Sequence, residues 1–261
     1  MLDRNDHPNL PERISLAEAK RFVLAWHYSK IFPPHCLINL ALRDGSGKLS
    51  AVAMWGWGVR PKHTIQRLFP SLDTPDYLEL NRLCLRDDQP RNSESRFLSL
   101  CADWIREDLP RVKLLFSWAD GLRGKPGYVY QAASWLYGGF IKTDLYVDER
   151  GGPIHPRLMI TRFGTRGRKT WTAMRLRKWK GYQFRYVRFL CGHAERKRLL
   201  RVSPVEWTQV YPKLNDCRWW VDAGEGSRES RRPPRLEGAG QFRHPAPLFA
   251  QATIGAAHGQ S

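Results

Sequence analysis

The chain has 261 residues, of which 42% are hydrophobic and eleven are Trp, so it can bury the core of one main domain with appendages. No apolar run reaches the roughly 18 residues that a transmembrane helix needs, and the polar, acidic N-terminus predicts no signal peptide. Five widely spaced cysteines without a CxxC pair favour reduced thiols in a cytosol over a disulfide framework or a zinc site.

The net charge of +18 is distributed unevenly along the chain. Residues 157–201 contain fifteen Lys or Arg and a single acid, Glu195, whereas residues 1–150 are close to balanced. This asymmetry predicts a polyanionic partner, and nucleic acid in particular; a solvated charged face is the alternative. An anionic membrane surface is disfavoured because no amphipathic anchor accompanies the charge. The residues predicted to contact nucleic acid are Arg166, Arg168, Lys169, Trp171, Arg175, Lys178, Trp179, Lys180 and Arg185.

Hydrophobic periodicity predicts alternating helices and strands. Ser15 and Glu18 form a capping box that begins the first helix. The predicted helices span 15–27, 92–108, 128–137 and, as a basic helix-like stretch, 167–179. The predicted strands span 36–43, 49–57, 77–86, 113–118, 140–147, 158–163 and 183–190. Residues 223–261 are rich in Gly and Pro and poor in large apolar residues, so we predict a disordered tail.

This order of elements predicts an α/β fold with a central mixed β-sheet flanked by helices. Strand 77–86 connects through helix 92–108 to strand 113–118, which makes these two strands a parallel pair. Ligands tend to bind beyond the carboxyl ends of such strands. The loop 119–127 and the helix start near residue 92 should therefore meet at one edge of the sheet.

The start of helix 92–108 is a candidate anion site. The free N–H groups of a helix N-terminus favour phosphate, and small polar residues and an Arg suit that ligand. An ordinary helix cap is the alternative, because Asn and Ser are also the preferred cap residues. The residues concerned are Asn92, Ser93, Ser95 and Arg96.

Side chains with acid–base chemistry occur at the ends of three predicted elements. His27 and Tyr28 end the first helix, where they could supply a base and a phenol, or where His27 could stabilise the helix C-terminus. Asp120 follows the apolar strand 113–118 and precedes Gly121, so it suits binding or proton transfer, or a simple turn. Tyr130 lies at the start of the following helix, where the alternative is a core position.

Several well-defined motifs are missing from the chain. There is no D/N-P-P-Y run of an adenine methyltransferase, no zinc-deaminase pattern and no Walker A sequence. Histidines and cysteines show no regular ligand spacing, so the sequence does not specify a metal. A metal ion of unspecified identity shared by His27, Tyr28 and Asp120 is left open.

Taken in order, five segments resemble the bacteriophage Mom DNA-modification family. They are His27-Tyr28-Ser29, Leu78-Glu79-Leu80-Asn81-Arg82-Leu83, Asn92-Ser93-Glu94-Ser95-Arg96-Phe97, Ser117-Trp118-Ala119-Asp120 and Tyr128-Val129-Tyr130-Gln131-Ala132. Phe184-Arg185-Tyr186-Val187 looks like the family's basic C-terminal strand, and the resemblance covers about residues 14–200.

The resemblance implies a fold of the GNAT-like acyltransferase superfamily and conversion of adenine N6 in duplex DNA to a carbamoylmethyl derivative, which protects phage DNA from restriction. It also implies that His27, Tyr28, Asp120 and Tyr130 are catalytic, and that Arg82, Ser93 and Ser95 face a cofactor, acetyl-CoA or a related acyl donor. The expected parts are an N-terminal arm (1–13), a GNAT-like catalytic domain (14–165), a basic DNA-binding extension packed on it (166–222) and the tail (223–261).

Two other functions fit the same sequence. The first is a GNAT-like acetyltransferase that acts on RNA or protein. The second is a basic DNA-binding or antirestriction protein without catalysis, in which case His27 and Asp120 would have structural roles. No obligate protein partner is expected for any of the three.

Overall fold

The computed structural model describes residues 10–27 and 36–236, which form a ten-stranded mixed sheet with helices on both faces. The helices are α1 (Leu16–Trp26), α2 (Ile65–Leu68), α3 (Ser93–Asp108), α4 (Tyr128–Ala132), α5 (Pro156–Phe163), α6 (Arg168–Ala173) and α7 (His193–Val202). The strands are β1 (Glu12–Arg13), β2 (Ile38–Arg43), β3 (Leu49–Gly56), β4 (Tyr77–Leu85), β5 (Leu114–Asp120), β6 (Leu136–Val147), β7 (Pro153–Ile154), β8 (Arg177–Phe189), β9 (Trp219–Asp222) and β10 (Ser227–Ser230).

The sheet has the strand order β1-β2-β3-β4-β5-β8-β6-β7, and β9 joins it beside β8 and carries β10. The pairing of β4 with β5 is parallel, as the sequence predicts, and α3 forms the crossover between them. This parallel pairing spans only Tyr77–Glu79 against Leu114–Phe116, although β4 continues to Leu85 and β5 to Asp120. Beyond those three residue pairs the two strands diverge.

The core lies on both faces of the sheet because successive side chains of β3 point in opposite directions. Ala53 and Trp55 pack with Phe97 of α3, whereas Met54 packs with Phe22 and Val23 of α1. Ser15 caps α1 as predicted, because its hydroxyl accepts a hydrogen bond from the Glu18 N–H at 3.2 Å, whereas the Glu18 carboxylate accepts from Arg43 at 2.8 Å. The predicted class, a mixed sheet flanked by helices, is confirmed.

No helix among the described residues is long and apolar enough to cross a membrane.

Three predicted elements were wrong in type or in extent. Residues 158–163 belong to a helix, α5, because Pro156 occupies its first turn and the His155 ring accepts the Arg157 N–H at 3.1 Å. The helix predicted over 128–137 ends at Ala132, since Ser134 has a positive φ of 58° and β6 begins two residues later. The basic stretch forms α6 only to Ala173, and its remainder opens the long strand β8.

The boundary of the predicted disordered tail was also wrong. Residues 223–226 form the turn of a hairpin, with Gly224 and Gly226 at positive φ, and β10 pairs with β9 along its whole length. The composition of residues 223–236 therefore reflects a tight turn and a proline segment rather than disorder. The rest of that prediction, residues 237–261, lies outside the described residues.

Phe97 gives a direct test of the α3–sheet core. We expect Phe97→Ala to lower the free energy of unfolding by about 3–4 kcal/mol, because the ring is 1% exposed and its removal leaves a cavity. Phe163→Ala, which truncates a ring that is 40% exposed at the end of α5, is the control and should cost less than about 1 kcal/mol. Urea denaturation measures both values, and equal losses would contradict the assigned core.

Candidate active-site cleft

A cleft with a volume of about 2200 Å³ opens where β4 and β5 diverge. Its lining includes residues 79–83 of β4, residues 118–120 of β5, the loop 122–127 and the start of α4. Residues of β6, α5, β9 and β10 complete it. The carboxyl end of the parallel pair is thus the concave part of the molecule, as expected for an α/β sheet.

A β-bulge shapes the β4 wall of the cleft. Met54 of β3 faces Arg82 while the next residue, Trp55, faces Leu80, so Asn81 has no partner on β3. A bulge of this kind bends the strand and re-aims its side chains. Asn81 and Arg82 both line the cleft, which places the predicted cofactor-facing Arg82 in it.

Glu79 is a carboxylate in the cleft that the sequence patterns did not single out. It pairs with Phe116 in the parallel register, and because side chains alternate along a strand it shares a sheet face with Trp118 and Asp120. Gly58 makes room for it, since a Cβ there would lie 2.1 Å from the Glu79 Oε2. Burial raises the pKa of Glu79 to about 7.

Asp120 ends β5, and its partly exposed side chain forms an ion pair with Arg123 at 3.2 Å. Burial raises the pKa of Asp120, and the charges of Arg123 and Lys125 oppose that shift. Burial in turn lowers the pKa of Lys125 to about 8, against the attraction of Asp120. Asp120 is therefore a carboxylate with perturbed acidity inside a cleft, as expected at functional sites.

Tyr130 of α4 is held by a buried hydroxyl. Its Oη lies 2.8 Å from the Ser117 Oγ, and the Ser117 hydroxyl also lies 3.4 Å from the Leu80 carbonyl of β4. Ser117 is 1% exposed and therefore lies beneath the cleft. It links Tyr130 and β5 to β4 just beyond the point where the two strands separate. Asp120, residues 122–127 and Glu94 at the start of α3 all line the cleft, so loop 119–127 and the start of that helix meet as the sequence predicts.

The loop before α4 is fixed by a second aromatic residue, Tyr186 of β8. Its hydroxyl donates to the Pro126 carbonyl and accepts from the Gln131 side chain at 3.1 Å. Its ring stacks on Tyr130 with centroids 5.0 Å apart. Gly127 has a φ of 98°, and a Cβ there would lie 2.5 Å from the Tyr186 ring. The absence of a side chain at Gly127 therefore makes room for the Tyr186 ring.

His27 also lies in this cleft. It is 8% exposed and ends α1, with its backbone N–H bonded to the Val23 carbonyl at 2.9 Å. The cleft therefore brings together three of the four predicted catalytic residues, His27, Asp120 and Tyr130. The fourth, Tyr28, lies outside the described residues.

The predicted anion site at the start of α3 lies beside this cleft. Asn92 precedes the helix in a left-handed conformation, and its side chain does not cap the helix. The Ser95 hydroxyl donates back to the Asn92 carbonyl at 3.1 Å. Glu94 is the residue of this turn that lines the cleft, so the cofactor role of Asn92, Ser93, Ser95 and Arg96 stays a prediction.

The predicted nucleic-acid contacts form a surface beside the cleft, on α6 and β8. Arg166, Lys169, Arg175 and Lys180 are exposed, as a phosphate contact requires. Other members have partners within the protein: Lys178 pairs with Asp144 at 3.0 Å, Arg168 donates to the Gly224 carbonyl, and Arg185 donates to the Phe140 carbonyl at 3.4 Å.

The two tryptophans predicted to contact nucleic acid, Trp171 and Trp179, differ in their burial. Trp171 is 3% exposed and packs in a small core with Tyr146, Met159 and Leu176, so it offers no face to a base. Trp171 lies on the side of α6 that faces the protein. The charged residues around it in the sequence led to the prediction that it is exposed. Trp179 is partly buried against the main core and lines a shallow depression with Arg177.

No three His, Cys, Asp or Glu side chains within residues 10–27 and 36–236 lie close enough together to hold a metal ion. Tyr28, one of the residues considered for such a site, is outside these ranges.

Comparison with known proteins identifies the family. Residues 11–213 match the Mom protein family. The chain belongs to that family. It is 34% identical over 212 residues to the methylcarbamoylase Mom of Escherichia phage Mu, and the alignment covers 77% of this chain and 83% of the phage Mu protein. The predicted resemblance is confirmed, and the match to the Mom family spans every candidate residue from His27 to Arg185.

Solved structures similar to this Mom family member include an aminoglycoside 6'-acetyltransferase type Ii (TM-score 0.40, 9% identity, 70% of this chain and 99% of that chain). Another is an aminoglycoside 6'-N-acetyltransferase from Enterococcus faecium (TM-score 0.39, 10% identity, 70% of this chain and 98% of that chain). Likeness at this level carries no information about activity.

The buried carboxylate gives a pH-dependent test. We expect Glu79→Gln to raise the free energy of unfolding by roughly 2–3 kcal/mol at pH 8 and to leave it unchanged near pH 4. The pKa of Glu79 is about 7 in the folded chain against an ordinary value of 4.5. The native state therefore binds the extra proton, and the wild-type protein loses stability relative to the variant as pH rises from about 4.5 to about 7.

Urea unfolding between pH 4 and pH 8 measures this difference. Glu94→Gln, which replaces an exposed carboxylate of the same cleft, is the matched control. Parallel pH profiles for the two variants would show that Glu79 is not desolvated.

Proposed function

We propose that this chain converts adenine N6 in duplex DNA to a carbamoylmethyl derivative, and thereby protects the DNA from restriction. The observation that carries the proposal is the Mom family match, which includes the candidate catalytic residues from His27 to Tyr130. The similar protein of phage Mu is a methylcarbamoylase. The exposed cations of α6 and β8 supply the positive surface that a DNA substrate needs.

The reaction needs a proton acceptor close to the amino group. The lone pair of the adenine N6 is delocalised into the ring, so the nitrogen becomes a competent nucleophile only as a base removes its proton. Glu79 and Asp120 share one face of the sheet inside the cleft, and both have a raised pKa. We assign proton removal to this pair, with Asp120 at the strand end and His27 as a further candidate. Tyr130, whose hydroxyl lies 2.8 Å from the Ser117 Oγ, is our candidate for stabilising charge on the donor group.

The substrate base must leave the duplex to reach such a cleft. A flipped base is commonly held by stacking on aromatic side chains. Tyr128 is 53% exposed at the start of α4, and Trp118 lies two residues before the end of β5 on the face of Glu79; both line the cleft. These two aromatic residues, rather than Trp171, are the candidates for stacking on the adenine.

The cleft also suits a phosphorylated acyl donor of the coenzyme A type. Arg82 and Lys125 line it, and the first turn of α3 presents Arg96 beside it without a side-chain cap. These residues would hold the phosphates of such a donor. A carbamoylmethyl group contains a nitrogen that acetyl-CoA lacks, so transfer of a plain acetyl group does not form this product.

Asp120 provides the first test of the reaction. After expression in bacteria, mass spectrometry of plasmid nucleosides should show a carbamoylmethylated deoxyadenosine for the wild type and none for Asp120→Asn, while the affinity for DNA stays the same. Asp87→Asn, an exposed position outside the cleft, is the control and should retain the product. Loss of DNA binding together with loss of product would give Asp120 a structural role instead.

Glu79 provides a second test through the pH dependence of the rate. Only the ionised carboxylate accepts a proton, so kcat/KM should rise with pH up to about 7, near the raised pKa of Glu79. Glu79→Gln should lower kcat/KM by about 10²–10⁴-fold and remove this rise. A rate that rises with the same midpoint in the variant would assign the proton transfer to another group.

The nucleoside analysis also separates the alternative functions. A plain acetyl mass shift on deoxyadenosine would indicate a transferase that acts on DNA with a different donor. A modified RNA nucleoside would indicate that the substrate is RNA. Unmodified nucleic acid from soluble, DNA-binding protein would favour the non-catalytic binding function.

A further inference from the structure

The C-terminal strands carry a basic segment, residues 231–236, into the candidate active site. This segment lies beyond residue 213, where the match to the Mom family ends. It follows β10, which pairs with β9, and β9 pairs with β8 at the Lys178–Lys180 register. We call β9, β10 and residues 231–236 the C-terminal hairpin.

The hairpin is fixed to the loop that follows Asp120. The Trp219 indole of β9 donates to the carbonyls of Gly121 and Leu122 at 2.9 and 3.0 Å. Pro234 is buried, and the Pro233 Cγ lies 3.8 Å from where a Cβ on Gly124 would be. Two prolines also restrict the backbone, so the segment is held in place beside the strand end that carries Asp120.

Three arginines of this segment have no carboxylate to neutralise them. Arg231, Arg232 and Arg235 are exposed and line the cleft, and residues 231–236 contain no acid. Among the described residues, none of the three forms an ion pair, whereas Arg218 of the same hairpin pairs with Glu229 at 3.0 Å. Uncompensated arginines at the wall of a cleft favour an anionic ligand, and the guanidinium fork matches phosphate.

The same arginines connect the cleft to the basic surface of α6 and β8. Arg232 and Arg235 also line the shallow depression that contains Arg177 and Trp179. On the other side of the hairpin, Arg168 of α6 donates to the carbonyl of its turn residue Gly224. Arginines therefore extend from the β8 depression, which also contains Asp148 and Glu149, through the hairpin to the cleft that contains the candidate catalytic carboxylates.

We propose that Arg231, Arg232 and Arg235 bind the backbone phosphates of the DNA strand whose adenine enters the cleft. This inference rests on the proposed function, because it takes duplex DNA as the substrate. The hairpin joins the exposed cations of α6 and β8 to the reaction site, so that one strand is held on both sides of the target base. The interaction is with phosphates, and it positions the strand without selecting its sequence.

The test measures how the affinity for a mixed-sequence DNA duplex depends on salt. Each arginine–phosphate ion pair on B-DNA contributes about 0.9 to the slope of log K against log salt, so replacing all three arginines by alanine should lower the slope by about 2–3. The same substitutions should raise Kd by roughly 10- to 100-fold near physiological salt. Fluorescence anisotropy of the full chain with a labelled duplex gives both quantities without any acyl donor.

A charge-matched control separates this effect from the loss of net charge. The control replaces Arg21, Lys48 and Lys62 by alanine, which removes three exposed cations that do not line the cleft. It should keep the wild-type slope. A second variant with lysine at 231, 232 and 235 retains the charge and should keep most of the slope, whatever alanine does to folding.

An unchanged slope in the alanine variant overturns the inference, as does an equal fall in the control. A variant that binds duplex normally and loses affinity only for coenzyme A also overturns it, since the arginines would then hold the donor. The nucleoside analysis is independent of these results. If the slope falls as expected but the wild type modifies no adenine, the DNA-binding role of the arginines stands and the proposed function fails.

Discussion

The short parallel pairing of β4 with β5 is the constraint on which the candidate site depends. The two strands share three residue pairs and then separate, although β4 stays paired with β3 across a bulge and β5 stays paired with β8. A sheet that stays hydrogen-bonded on both outer sides while its centre opens has a cleft lined by backbone and by side chains of two strands. Rigid elements therefore position Glu79 and Asp120, which is the arrangement that acid–base chemistry requires.

Buried side chains stabilise the part of the sheet where β4 and β5 separate. Ser117 bridges the separated strands by contacting Tyr130 and the Leu80 carbonyl, and Tyr186 fixes the loop from behind. Such buried polar contacts are favourable because every member has a partner, and an unpaired hydroxyl there would cost about 1–3 kcal/mol. The same burial shifts the acidity of the cleft carboxylates, so the fold that forms the cleft also tunes its chemistry.

Electrostatics couples the site to its proposed substrate. Glu79 and Asp120 are the cleft carboxylates whose pKa is raised by burial, whereas α6, β8 and the C-terminal hairpin contribute exposed cations around the cleft. A field of this sign raises the local concentration of DNA and orients its backbone. The hairpin extends that field beyond the portion of the chain that matches the Mom family, into a segment whose composition alone resembles a disordered tail.

The sequence by itself determined the mixed α/β class, the α3 crossover and the basic character of residues 157–201, which are properties of local periodicity, strand ends and composition. That His27, Asp120 and Tyr130 act together was predicted only from the resemblance to the Mom family. Tertiary structure decided the rest. Glu79 becomes a desolvated carboxylate only because Gly58 and β5 surround it, Trp171 becomes a core residue, and residues 227–230 become a strand because β9 is there to pair with them. Burial and pairing depend on residues far away in the chain, so no local pattern contains them.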